Sequence, residues 1–386
     1  MKIVITADSF CEYSILQANS LAERGHSVLV VLPESLLKVT VGDYYQKIIK
    51  KGVNVLSCVE NRAWKYKYYQ IPIRVITKFD PDLIHIHENG EMLSLAILLK
   101  FHKIPIVLTV HDVKPHPGFD SKMKMRRKII RELLRRRASA IHLHSNSLGK
   151  LFCQMYPFKN ERVHIIPHGV LDLFTTWKRN DIEKEPYTCL FFGRMEKYRG
   201  LDNLLTIADK LKKMLPKCRI VIAGTGTEFS RYKKAFDSLG NCEIHDRFIP
   251  DSEVARFFQR ACCILLPYHE ASQSGVLAVA LAFSRPVVAT DVGAIKELIQ
   301  DGVHGRIVPA NNMKHFADAT VNILTNEEVW NEMRDACLRL SNEISFQSLA
   351  LYFEKMYNKI TNLYRVKKKD NRCFNRNNQI RTFSRK

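Results

Sequence analysis

Two arginines five positions apart, Arg194 and Arg199, stand in FFGRMEKYRG, directly after an apolar run and before a helical pattern. Guanidinium groups on one strand-to-helix loop, opened by Gly193, can clamp a diphosphate; each charge-assisted hydrogen bond contributes about 1.5–3 kcal/mol. A second group follows in CILLPYHEASQSGVLAVALAFSRPVVAT. The Ser/Gly turn at Gln273, Ser274, Gly275 and Val276 opens a helix-type run between two short apolar runs. Such a turn offers unpaired backbone N–H groups and the positive end of a helix dipole, which suit an anion or a ring of hydroxyls. After PVVAT, the segment IKELIQDG carries Glu297. A donor-rich loop and a carboxylate-bearing loop thus leave one sheet edge, which is how an α/β protein builds a ligand crevice. Glycine and serine also serve ordinary turns, and a basic loop can simply be solvated, so neither group settles a function alone.

Other candidates are weaker. AGTGTE places Gly224 and Gly226 after a strand but lacks the third glycine of a dinucleotide fingerprint. His111 and Asp112 fall at the end of a strand pattern, where open sheets form sites. His85, His87, His142, His144, His164 and His168 lie in or near strands. An H-x-H in a strand puts both rings on one face, but the carboxylates a metal site would add are not beside them, so no metal is expected. The chain has no nucleophile elbow, no phosphate-binding P-loop and no kinase motif set.

The elements that position these groups are read from periodicity. Short apolar runs near residues 2–6, 28–32, 53–59, 83–86, 106–110, 140–144 and 163–167 read as buried parallel strands separated by helical patterns. A second series of strands follows near 188–192, 219–223, 242–245, 263–266 and 286–290. The fold class is therefore α/β, with two doubly wound Rossmann-like domains facing each other across a cleft. The expected division is an N-terminal Rossmann-like domain over 1–172, a polar linker over 173–186 and a C-terminal domain over 187–345. A helix over 346–364 crosses back to the first domain, and a basic, disordered tail occupies 365–386.

The totals restrict partners. At 386 residues the chain can bury two cores, and its 46% hydrophobic content is that of a globular protein. Sixty Lys+Arg against 39 Asp+Glu give a net charge of +21, a field that attracts nucleic acid, anionic membrane or phosphorylated substrate. The basic residues concentrate in the tail and in one helical pattern, Ser121 to Arg137, which includes Lys122, Lys124, Arg126, Arg127, Lys128 and Arg131. No nucleic-acid module accompanies them, which argues against a nucleic-acid partner. Anionic lipid attracts each basic side chain near its surface by about 1 kcal/mol, so the helix is expected to face a membrane or a membrane-borne acceptor. The ten cysteines form no C-x-x-C pair and read as reduced core residues of a cytoplasmic protein. Neither a signal peptide nor a transmembrane span is expected.

Taken in order, the series HGV, GR-x4-[KR]-G, AGxG, PY-x-x-x-S-x-S-G and RPVVATDVGAIKELI-x-DG-x-x-G-x-x-V resembles the family 4 glycosyltransferases, nucleotide-sugar enzymes of the GT-B architecture. The resemblance spans about Lys2 to Tyr364. It implies that Arg194 and Arg199 hold the donor diphosphate and that His111 touches the donor sugar. It further implies donor contacts from Gly193, Glu270, Gln273, Ser274, Gly275 and Val276, a nucleoside contact from Glu297, and a hinge near His168 and Gly169. Two departures stand out. The family's paired glutamates align with Ala271 and Val279, with Glu270 one place off, and Asp8-Ser9-Phe10 replaces the glycine-rich N-terminal loop.

The resemblance leads to a retaining hexosyltransferase that builds a cell-surface polysaccharide from a nucleotide-sugar on a glycan or lipid-linked acceptor. It would work at the cytoplasmic face of the plasma membrane without a metal, arginines taking the metal's place. The alternative is an inactive nucleotide-sugar-binding protein on the same scaffold.

Overall fold

The structure, a computed structural model, describes residues 1–40, 45–58, 67–88, 90–114 and 124–383. The first half alternates β1 (Lys2–Thr6), α1 (Cys11–Glu23), β2 (Ser27–Pro33), α2 (Glu34–Thr40), α3 (Tyr45–Ile48), β3 (Val53–Cys58), α4 (Lys67–Phe79), β4 (Leu83–His87), α5 (Met92–Lys100), β5 (Ile106–Thr109), α6 (Met125–Arg137), β6 (Ala140–Leu143), α7 (Asn146–Met155) and β7 (Val163–Ile165). The second half runs β8 (Thr188–Phe192), α8 (Leu201–Met214), β9 (Arg219–Gly224), α9 (Lys233–Leu239), β10 (Cys242–Asp246), α10 (Asp251–Arg260), β11 (Cys263–Leu266), α11 (Gly275–Ala282), β12 (Val287–Thr290), α12 (Ile295–Leu298), β13 (Gly305–Val308), α13 (Met313–Thr325), α14 (Glu327–Glu343) and α15 (Phe346–Phe383).

The strands form two sheets, ordered β3-β2-β1-β4-β5-β6-β7 and β10-β9-β8-β11-β12-β13. Every pairing is parallel. Their interiors are the apolar runs of the sequence: IVIT of β1, CILL of β11 and VVAT of β12 are buried at every position, as strands covered by helices on both faces must be. Each order reverses direction once, between β1 and β4 in the first sheet and between β8 and β11 in the second. Loops leaving the carboxyl ends of those two pairs diverge and open a crevice.

Three stretches differ from expectation. The sequence reading put a linker over 173–186, yet Asp172–Trp177 is a 3-10 helix, because Leu173 and Phe174 have apolar surface to bury and do so. The second sheet gains β13, whose GRIV is too short and too polar to stand out. The segment 365–386 has a disordered composition, but α15 continues to Phe383. Residues 346–383 contain neither proline nor glycine, and the packed front of the helix supplies the nucleus from which it propagates.

That front belongs to the other domain's core. Leu349, Phe353, Met356, Tyr357 and Ile360 pack with Ile3, Ile15 and Val28 of the first sheet's layers. The chain crosses at Gly169, where an added Cβ would lie 2.7 Å from the Phe346 ring, so only glycine admits that ring.

Candidate active site

The crevice of the second sheet is built on close backbone approach. Gly193, at the end of β8, has φ +104°, and its N–H donates to Ala223 O at 2.9 Å. A Cβ on Gly224 would sit 1.9 Å from the Gly193 carbonyl oxygen, so the loops after β8 and β9 can stack only as glycines. The Arg199 guanidinium folds back over this stack. Its Nη1 donates to Tyr268 Oη at 2.8 Å and to Phe192 O at 3.3 Å. Burial works against its charge, and the hydroxyls of Tyr268 and Tyr198 more than offset that, so Arg199 stays cationic. Tyr268 Oη lies 3.4 Å from Ser274 Oγ, and Ser274 caps α11 by accepting the Leu277 N–H at 3.2 Å. A Cβ at Gly193 would meet Arg199 Nη1 at 3.1 Å and Val276 Cγ2 at 3.5 Å. Gly193, Arg199, Ser274, Gly275 and Val276 are therefore brought together by Tyr268, a motif residue to which the sequence reading gave no role. Arg194 is exposed on the same loop. A cation facing the amino end of a helix can hold a diphosphate and stabilise charge that develops on it. Glu270 is not gathered in: it is exposed, and its backbone N–H is tied to Tyr198 O at 3.3 Å.

Between the two sheets lies a cavity of about 160 Å³, walled by His144, Ser145 and His168 of the first domain and by Gln273, Ser274 and Glu297 of the second. Glu297 does not stand open to a nucleoside. Its carboxylate crosses the cleft and accepts the N–H groups of Asn146 at 2.6 Å and Ser147 at 2.9 Å. These are the first amides of α7, where helix dipole and unpaired donors both favour an anion. Burial alone would raise the pKa of Glu297, but these donors hold it below the ordinary carboxylate value. The sequence reading had left α7 out, and with it this partner.

The crevice of the first sheet is filled by histidines. His111 follows β5, and both its nitrogens are engaged: Nε2 with His87 Nδ1 at 3.0 Å and Nδ1 with His144 Nε2 at 3.3 Å. Phe10 stacks on its face at 3.7 Å between ring centroids. Phe10 does so from φ +62°, a strained backbone for a bulky side chain, at the position where the resemblance led one to look for glycine. His111 thus offers a donor sugar neither a nitrogen nor a bare ring face in this conformation, contrary to the role expected for it. Behind it, His87 Nε2 meets Gln17 Oε1 at 3.0 Å, and His85 Nε2 meets Thr109 Oγ1 at 2.6 Å. Burial, reinforced in several cases by neighbouring rings, pushes His87 and His142 down to about 3 and His85, His111 and His144 well below the ordinary value. No group of three or more His, Cys, Asp or Glu among the described residues is arranged to hold a metal ion.

The basic helix α6 is less free than its composition suggests. Arg131 donates to Glu88 Oε2 at 2.6 Å, and the buried Arg135 donates to Glu88 Oε1 at 2.5 Å. Arg126 and Arg127 both pair with Glu91. Three of the six cations expected to face a membrane or acceptor are therefore committed within the protein. The two glutamates follow β4, some forty residues earlier, and only the fold brings them beside α6. Lys124 and Lys128 remain exposed, next to Met125 and Ile129 at 69% and 54% exposure, and Lys122 lies outside the described residues. No helix among the described residues is long and apolar enough to cross a membrane.

Two family models match, Glycosyltransferase Family 4 over residues 13–171 and Glycosyl transferases group 1 over residues 186–326. A phosphatidyl-myo-inositol mannosyltransferase of Mycolicibacterium smegmatis is 27% identical over 328 residues, covering 81% of this chain and 80% of that one. Among solved structures, a sucrose-phosphate synthase from Thermosynechococcus elongatus superposes with TM-score 0.69 at 13% identity, covering 93% of this chain and 99% of the other. Anabaena HepE in complex with UDP-glucose does so with TM-score 0.68 at 15% identity, covering 93% and 100%. With both halves matched in register with the two sheets, the chain belongs to the family 4 glycosyltransferases and has their GT-B fold.

Proposed function

We propose that this glycosyltransferase moves a hexose-type sugar, with retention of anomeric configuration, from a nucleoside diphosphate sugar to a glycan or lipid-linked acceptor in cell-surface polysaccharide synthesis. The observation that carries the reading is the cluster after β8 and β11, where the Arg199 guanidinium, the capped start of α11 and Val276 converge on Gly193. A relative named as a mannosyltransferase and a structural neighbour holding UDP-glucose support the donor class.

In this reading the arginines and the α11 amides take up charge as the bond from the anomeric carbon to the diphosphate oxygen breaks. The acceptor oxygen forms its bond on the same face and gives its proton to a leaving phosphate oxygen. The protein contributes positioning and charge stabilisation. The reading assigns no metal, because the diphosphate's charge falls to the arginines and amides.

The exposed lysines and apolar side chains of α6 would set the acceptor domain against an anionic membrane on its cytoplasmic side. Vesicle sedimentation tests this part: binding that requires anionic lipid supports it, and equal binding to neutral vesicles removes it.

The test of the activity is transfer from a panel of UDP-, GDP- and ADP-hexoses. Arg194→Ala and Arg199→Ala should each lower kcat by about 10²- to 10³-fold with the circular dichroism spectrum unchanged. No binding and no turnover with any donor would sink the reading. Binding without turnover would favour the inactive alternative, which Ala271 and Val279, in place of the paired glutamates, make worth testing.

A further inference from the structure

We propose that His144 reads a substrate hydroxyl: its Nδ1 presents a lone pair at the wall of the interdomain cavity and accepts the O–H of a sugar bound there. The inference rests on the reading that this cleft takes a sugar substrate. His144 lines the cavity and is 5% exposed, and its Nδ1 is a buried polar atom without a hydrogen-bond partner among the described residues. A buried polar atom left unpaired costs free energy unless a ligand completes it.

Whether that nitrogen donates or accepts is fixed by a chain of bonds that begins at a backbone carbonyl. The Ile166 carbonyl can only accept, so His142 donates to it from Nε2, at 3.1 Å. Neutral His142 then has a bare Nδ1, which accepts the Thr109 hydroxyl at 2.8 Å. With its proton spent, Thr109 Oγ1 accepts from His85 Nε2 at 2.6 Å. His85 Nδ1 is therefore an acceptor, served by the Tyr357 hydroxyl at 2.5 Å and by Gln17 Nε2 at 3.2 Å. That orients the Gln17 amide with Oε1 toward His87, which must donate from Nε2 at 3.0 Å. His87 Nδ1 accepts from His111 Nε2 at 3.0 Å, and His111 Nδ1 accepts from His144 Nε2 at 3.3 Å. His144 is left with a protonated Nε2 and a bare Nδ1.

The relay holds only while each ring is neutral, and burial keeps the rings so, holding all five far below the ordinary histidine pKa. A phosphate or carboxylate offers this nitrogen only lone pairs, whereas a sugar hydroxyl offers a proton. The relay therefore makes one point of the cavity wall selective for hydroxyl over anion, two residues before the α7 amides, which hold the Glu297 carboxylate. Gln17, His87 and His111 act through His144 as positioning residues.

Two readouts test the proposal on the full chain. In protein labelled with ¹⁵N-histidine, His144 should be found as the Nε2–H tautomer at neutral pH. Its Nδ1 resonance should move upfield on addition of whichever UDP-, GDP- or ADP-hexose binds. An Nδ1–H tautomer, or an Nδ1 resonance indifferent to a bound hexose, overturns the proposal. In transfer assays, His144→Phe should lower kcat/KM by about 10- to 100-fold with the parent substrate. The loss should vanish with the one monodeoxy analogue of the donor hexose that lacks the hydroxyl read. His144→Asn, which keeps an acceptor near the Nδ1 position, should recover part of it. An equal penalty on every analogue reduces His144 to a packing residue and refutes the proposal. Failure of the wild type to transfer from any donor would instead strike the proposed function, and the tautomer and its response to bound nucleotide hexose would still decide this one.

Discussion

Two crevices, each at the reversal point of a parallel sheet, face each other in this protein, and they solve the same problem with opposite materials. In the second domain the polar groups are backbone amides and an arginine, brought close by glycines that leave no room for a Cβ. In the first they are neutral histidines that bond one another through a buried glutamine and threonine. The first arrangement suits a permanent anion, because dipoles and a guanidinium are charged whatever the pH. The second suits a neutral polyol, because each imidazole has one donor and one acceptor and gives up its pattern when it gains a proton. Donor diphosphate and sugar hydroxyls make those two different demands.

Acid should separate the two domains most sharply. Unfolded histidines titrate near 6.5, and the buried ones lie lower, His87 and His142 at about 3 and His168 at about 4. Below 6.5 the unfolded state therefore binds more protons than the folded state, so stability falls as pH falls, by about 1.4 kcal/mol per pH unit for each such histidine. For His87, His142 and His168 together, two units of acidification remove several kcal/mol, a large part of the stability of a domain. The second domain's Glu243, held down to about 2 mainly by Arg260, loses its contribution only as pH drops through the range from about 4 to about 2. Pepsin at pH 4.5 should cut within residues 1–165 and spare the second sheet. Simultaneous cleavage of both would remove the contrast.

Glycine should show the reverse asymmetry. Gly224→Ala would drive a Cβ to 1.9 Å from the Gly193 carbonyl oxygen at a φ of +142°, and it should destabilise the second domain by about 4 kcal/mol or more. Gly240 also has positive φ, +75°, but open space around its Cβ position, so Gly240→Ala should cost only about 1 kcal/mol. Urea melts of the two variants compare close approach with conformational strain directly. Equal losses would mean that the stacked loops can relax, and that the crevice is not the rigid cradle described above.

The two crevices were unequally legible. Gly193, Arg199, Ser274 and Val276 sit on loops that follow apolar strands, so local sequence patterns placed them together. Tyr268 stood in a quoted motif but without a role, because an aromatic residue after a strand does not by itself say which group its hydroxyl will meet. The histidines were visible as H-x-H pairs, one in β4 and one running off the end of β6, with both rings on one face. Their network was not visible, because its members come from β4, β5, β6 and α1 and from Tyr357 in α15, 340 residues along the chain from its partner Gln17. Likewise Arg131 read as a surface cation until the fold set Glu88 beside it. Local pattern reveals which groups a loop offers, and only tertiary structure reveals which of them are already taken.

The smallest effect concerns the link between the crevices. Glu12, in the first turn of α1, is electrostatically coupled to the buried Asp251, at the start of α10 in the other domain. Burial raises the pKa of both carboxyls, and the neighbouring Glu12 raises Asp251 further, to about 9, so the pair holds a proton at neutral pH. When the domains separate, each acid returns to water and to a pKa near 4. The closed form then holds one more proton than the open form between pH ~4 and ~9, so closure weakens as pH rises across that window, by up to about tenfold per pH unit, and levels off above it. Small-angle scattering should show the radius of gyration growing from pH 6 to pH 9. Asp251→Asn supplies the hydrogen permanently through its amide and should flatten the dependence. A variant whose radius still grows with pH as the wild type's does would show that the shared proton does not set the pH dependence of closure.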